Sequence, residues 1–244
     1  MRLAFAVILL GFAGCTTVTP TGPALQPAAH GDFHHDTLAL TWQPGFCSAG
    51  SGCLPDQPRT PLIGLHGLWA SEPRSLEAQN VPVQEWWKRG CDVYGANDAP
   101  PVLDGAMQQS LSTVVPHLPH SLVTHEYNKH ARCFGYQAGP FFAAANDLRL
   151  KFAQSAMGQW LAERAGLVVT HVDLLAFFDK VTSNTTLRAL QLQCGKDQEG
   201  RVVLTQMWFT LRHDRLNDFP GASSYITAPE NQDNCPAQFL LRKW

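Results

Sequence analysis

Two short segments hold side chains able to move protons. In His66-Gly67-Leu68-Trp69 an imidazole stands beside a glycine and three residues ahead of an indole. The apolar run Pro61-Leu62-Ile63-Gly64-Leu65 before it reads as a short buried strand. His66 is therefore expected at a strand end, where the adjoining glycine leaves a side chain open to a cleft. Trp69 then offers a face on which a nucleobase stacks, worth about 1–3 kcal/mol per base. The second segment is His125-Glu126-Tyr127-Asn128-Lys129-His130. On a helix turning about 100° per residue, His125 and Lys129 stand about 40° apart, as do Glu126 and His130, so four ionisable groups share one face. Lys129 and one imidazole can orient a phosphate there while Glu126 and His130 handle protons. Alone, each segment also reads as ordinary structure, a core histidine and tryptophan in one and a solvated helix surface in the other.

A zinc hydrolase is the competing chemistry, because His125-Glu126 opens like the motif HExxH. That motif needs its second histidine four residues after the first, and here the residue is Lys129. His125 and His130 fall about 140° apart on an ideal helix, a poor pair for one ion. No CxxC pair occurs. Neither a metal nor an organic cofactor is expected. His34-His35 reads as a solvated pair rather than a metal site, and Trp86-Trp87 as core and helix-surface packing rather than an RNA platform.

The elements that must position these groups follow from periodicity. Thr37 to Gln43 alternates Leu38, Leu40 and Trp42 with Ala39, Thr41 and Gln43, a strand pattern ended by Pro44-Gly45. Helices are expected over 104–115, 121–132 with Ser121 as N-cap, 140–152, 155–165 and 173–180. Strands follow over 187–194 and 202–212, joined by the turn-like stretch 195–200. Strands, then helices, then a hairpin predict an α+β fold, a central mainly antiparallel sheet flanked by helices. With 244 residues, 45% of them hydrophobic, one domain over residues 33–244 has a substantial core.

Ahead of that domain, residues 1–15 read as an export leader. Arg2 is followed by an apolar run from Leu3 to Ala13, too short to span a membrane. Phe12-Ala13-Gly14-Cys15 resembles a bacterial lipobox, with Phe12 where leucine is favoured, and makes Cys15 the expected lipidation site. Residues 16–32, rich in Thr, Pro, Ala and Gly, read as a flexible tether. Without Cys15, the seven cysteines leave Cys47, Cys53, Cys91, Cys133, Cys194 and Cys235, an even set in an exported chain. Fifteen pairings exist in principle. Order along the chain suggests Cys47–Cys53, Cys91–Cys133 and Cys194–Cys235. The net charge of −2 excludes a broad basic field, so contact with nucleic acid must be local to a cleft. Ten histidines add positive charge below about pH 6.5.

Two histidine segments, a lysine beside one of them and an exported disulfide framework resemble the ribonuclease T2 family of transferase-type acid ribonucleases. His66-Gly67-Leu68-Trp69 resembles that family's first active-site segment, with Ala70 where proline is usual. His125 to Cys133 resembles the second, HEWxKHGTC, and departs at Tyr127, Ala131 and Arg132. The resemblance implies His130 as general base and His66 as general acid. It makes Glu126, Lys129 and His125 stabilisers of the phosphorane, and places Trp69 in a base-binding pocket. It implies a monomeric endoribonuclease that is periplasmic, membrane-anchored through Cys15 or secreted, with RNA as its partner and no cofactor. Ser71 stands where some members carry an acidic residue, which predicts low base selectivity. A noncatalytic envelope protein that binds RNA or protein on the same fold is the alternative, and retention of both histidines speaks against it.

Overall fold

The computed structural model describes residues 25–183 and 188–244, so the leader and Cys15 lie outside the described residues. In chain order the elements are β1 (Asp36–Trp42), α1 (Gln43–Phe46), β2 (Ile63–Ala70), α2 (Arg74–Glu77), α3 (Val83–Arg89), α4 (Gly105–Val114), α5 (Leu122–His130), α6 (Ala138–Gln154), α7 (Ala156–Glu163), β3 (Val168–Thr170), α8 (His171–Thr182), β4 (Leu190–Lys196), β5 (Val202–Leu211) and β6 (Gln238–Leu240). The fold is α+β. One sheet runs in the order β2-β1-β5-β6-β3, with β4 also paired to β5. Its pairings are antiparallel except for that of β5 with β6.

Period-two alternation gives the sheet two different faces. Phe209 of β5 turns into the core against Phe152 of α6 and Phe178 of α8, with ring centroids 4.8 and 6.0 Å away. Its neighbours Trp208 and Thr210 line a cavity on the opposite face. Side-chain caps start the helices where the sequence supplies them. Asp104, Ser121, Ser155 and Thr170 each accept a backbone N–H at the start of α4, α5, α7 and α8. Disulfides join Cys47 to Cys53, Cys91 to Cys133 and Cys194 to Cys235.

The end of the stretch read as a flexible tether is instead docked. Ala28 and Ala29 both donate to the Phe134 carbonyl at 2.8 and 3.1 Å, Leu25 packs against the core, and His30 stacks on Tyr94 at 3.9 Å. Those backbone bonds and the small alanines explain why a stretch without periodicity still lies flat on the domain. Among the described residues no helix is long and apolar enough to cross a membrane.

Candidate active site

β2 does not stop before His66. It runs on to Ala70, and the imidazole leaves the sheet for another reason: Ala39 pairs with Gly67 and Leu40 with Leu65, so His66 is the extra residue of a β-bulge. A bulge re-aims one side chain without ending the strand. The His66 side chain is 16% exposed, with Phe46 and Trp69 edge-on to it, each 5.7 Å away between centroids.

α5 packs against β2 and brings the second segment over this bulge. Glu126 faces the strand and is 1% exposed. Its Oε2 accepts the Trp69 Nε1–H at 2.5 Å, and its Oε1 lies 3.5 Å from His66 Nε2. Gly67 permits this approach, since a Cβ there would stand 2.0 Å from Glu126 Oε2 and 2.5 Å from Trp69 Nε1. The His130 ring, on the last residue of α5, lies 5.3 Å from that of Trp69 at 34°. Trp69 is thus engaged at its edge by Glu126 and on one side by His130, with Trp208 edge-on at 5.3 Å. Beyond α5, the Cys91–Cys133 bond and Gly90 (φ +53°) hold the chain against the end of the helix, where a Cβ on residue 90 would meet the Lys129 carbonyl at 2.2 Å. His66, Trp69, His125, Glu126, Lys129 and His130 all line one cavity of about 900 Å³.

Low polarity governs their protonation. Burial, reinforced by His125, pushes the His66 imidazole down to about 4. Burial, with Lys129, His125 and His66 adding to it, holds His130 well below its ordinary value. His125 is lowered by burial and Lys129, against an opposing pull from Asp92. Burial raises Glu126 to about 8 despite the Trp69 hydrogen bond and Lys129. The Nδ1 atoms of His66 and His130 are buried and have no hydrogen-bond partner among the described residues. A negative phosphate in the cavity would favour the charged imidazoles and reverse part of these shifts.

Two expectations about geometry need correction. His125 and His130 do not diverge as an ideal helix would have them. Their rings are 6.3 Å apart, and one donor atom each from His125, Glu126 and His130 falls within 4.8 Å of the others, because long side chains at a helix end swing together. His34-His35 is not simply solvated. His34 lies 3.6 Å from Glu77, and His35, half-buried, is pushed down to about 4 by burial and then by His34. Both line the cavity, as do Trp87, Glu72, Gln191 and Trp208. Trp208 lies within the strand expected over 202–212, but which face of that strand meets the cleft depends on packing partners the sequence does not name.

A sequence profile of the ribonuclease T2 family matches residues 33–220. The chain belongs to the ribonuclease T2 family. Ribonuclease I of Escherichia coli (strain K12) is 28% identical over 263 aligned positions, covering 98% of this chain and 95% of that one. A ribonuclease of Aeromonas hydrophila is 29% identical over 121 positions, 50% of this chain and 47% of its own. Crystal structures share the fold: RNase NT in complex with 5′-AMP at a TM-score of 0.58 and 19% identity, covering 87% of this chain and all (100%) of that one. Ribonuclease MC1 from the seeds of bitter gourd follows at 0.55 and 19%, covering 85% and 100%. The two segments that carry the resemblance, His66 to Trp69 and His125 to Cys133, fall inside the matched span.

Proposed function

We propose that this ribonuclease T2 protein cuts single-stranded RNA by using the substrate's own 2′-hydroxyl as nucleophile, without a metal. His130 takes the 2′-hydroxyl proton and the freed oxygen attacks the adjacent phosphorus. The bond from phosphorus to the 5′-oxygen breaks as His66 protonates that leaving oxygen. A 2′,3′-cyclic phosphate forms first, and water opens it to a 3′-phosphate with the two histidines exchanging roles. Lys129, His125 and Glu126 stabilise the charge gathered on phosphorus.

The observation that carries this reading is that the His66 and His130 rings both lie beside Trp69, at 5.7 and 5.3 Å, and line one cavity with it, within a chain of this family. His125, Glu126 and His130 are close enough to hold an ion, so metal independence must be tested directly. The test is digestion of RNA in excess EDTA with analysis of product termini. Cyclic and 3′-phosphate ends in undiminished yield support the proposal, and loss of cutting with restoration by a divalent ion refutes it. Export through the leader, anchoring at Cys15 and a monomeric state belong to the same proposal. The leader pattern supports the first two, and the three disulfides fit an oxidising compartment.

A further inference from the structure

Past Trp69 the cleft wall continues along the chain that leaves β2. Ser71 is fixed there by three bonds: its Oγ accepts the backbone N–H groups of His34 and His35 at 3.0 and 3.3 Å, and its own N–H donates to the His35 carbonyl at 2.8 Å. The next residue, Glu72, is 5% exposed, lines the cavity that holds His66 and His130, and has a buried Oε1 with no donor among the described residues. Burial, and then Glu77, push its carboxyl above the ordinary range. Such a group is costly unless something donates to it. Asp197, another buried carboxylate, illustrates the contrast: its Oδ2 accepts from both Arg201 and Arg242. The fold gives Glu72 Oε1 no such use.

Trp87 lines the same cavity and is 42% exposed, with Val83 one helical turn before it, also on the cavity wall. An exposed indole and a buried acceptor on one cavity are the two parts of a base site, a face to stack on and an edge to read. Trp69 is a weaker platform, because Glu126 and His130 already occupy its edge and one side.

We propose that Glu72 is the base-reading residue of the cleft and that it selects guanine, stacked on Trp87. The Watson–Crick edge of guanine presents N1–H and N2–H side by side, two donors for the two oxygens of one carboxylate. Adenine and cytosine put an acceptor nitrogen beside their amino group, and uracil sets its single N–H between two carbonyls. Each of these turns a lone pair towards a carboxylate oxygen. Because Oε1 is buried, pairing through both oxygens requires Glu72 to change rotamer as the base enters. The inference rests on the ribonuclease reading and replaces the low base selectivity expected from Ser71.

The test compares cleavage of GpU, UpG and UpU by the full-length protein. One of the two guanine dinucleotides, which identifies the side of the scissile bond, should be cleaved with kcat/KM about tenfold above UpU. Glu72→Gln puts a donor and an acceptor where two acceptors stood, and should bring that ratio to about one. Trp87→Ala should raise KM for the favoured dinucleotide more than it lowers kcat. Binding of guanosine and uridine 3′- and 5′-monophosphates, followed by tryptophan fluorescence, gives a readout without turnover: about tenfold tighter for guanosine in the natural protein, equal in Glu72→Gln. Equal cleavage of all three dinucleotides, or a guanine ratio that survives Glu72→Gln, overturns the assignment and leaves the ribonuclease reading standing. If no RNA is cut, that reading fails, and the binding comparison still decides whether Glu72 reads guanine.

Discussion

In the proposed mechanism His66 and His130 face opposite demands in the same dry cleft. The acid must hold a proton before substrate arrives and the base must not, yet burial lowers both imidazoles. Burial holds His130 well below its ordinary value and so favours the neutral form that a base needs. His66, lowered to about 4, carries its proton mainly below that pH in the free enzyme. Since kcat/KM reports the free enzyme, it should fall as pH rises above about 4. The falling limb of kcat should lie at higher pH, because bound phosphate favours the charged His66. Parallel pH profiles of the two parameters check this, and a kcat/KM that climbs steadily from pH 4 to 7 would show that the acid titrates well above the value burial gives His66. Replacing either histidine by alanine should lower turnover by roughly 10²–10⁴. Near-normal activity in a folded variant would remove that residue from the chemistry.

Positioning belongs to β2 and α5. The candidate residues stood out in sequence as two segments of mixed ionisable and aromatic side chains, and the fold brings both segments to one cavity. The bulge was not legible, since it exists only in the register between Ala39-Leu40 and Leu65-Gly67, a property of two strands at once. Glu72 was missed, and Trp87 was read as packing, for a similar reason: a shared cavity and an unpartnered oxygen have no local pattern. The five helices read from sequence match α4 to α8 to within a few residues and the cap at Ser121 fell where expected, whereas α1, α2, β3 and β6 are too short to show a period. Gly67→Ala tests the contact between the elements. A Cβ there must displace Glu126 or Trp69, so the variant should lose about 1–3 kcal/mol of stability and much of its activity. Urea unfolding read beside turnover checks it, and an active variant of natural stability would mean that β2 and α5 separate easily. The disulfide that pins the far end of α5 closes a loop of sequence separation 42, worth about 4 kcal/mol in the chain-entropy picture. Replacing Cys91 and Cys133 by serine should lower the unfolding free energy by about that amount, whereas breaking the short Cys47–Cys53 loop, of separation 6, should cost less. Equal losses would show that strain or packing dominates over loop closure.

At the scale of the whole molecule, a net charge of −2 leaves discrimination between nucleic acids to the cleft. DNA and RNA present similar bases and phosphates, so the proposed site should bind both and react with one. Removing the 2′-hydroxyl leaves His130 no proton to take and no oxygen to activate. A DNA strand should therefore resist cleavage and inhibit competitively, its phosphates still meeting Lys129 and its bases the aromatic wall. The sharper form uses an RNA with a single deoxynucleotide. Only the bond on the 3′ side of that sugar should resist, because each cut depends on the hydroxyl next to its own phosphate, and neighbouring bonds should be cut at ordinary rates. Mapping product ends on a sequencing gel reads this at single-bond resolution. Cutting at the protected bond would mean that water, activated elsewhere in the cleft, is the nucleophile, and the trio His125, Glu126 and His130 would then be the first place to look for the ion that activates it.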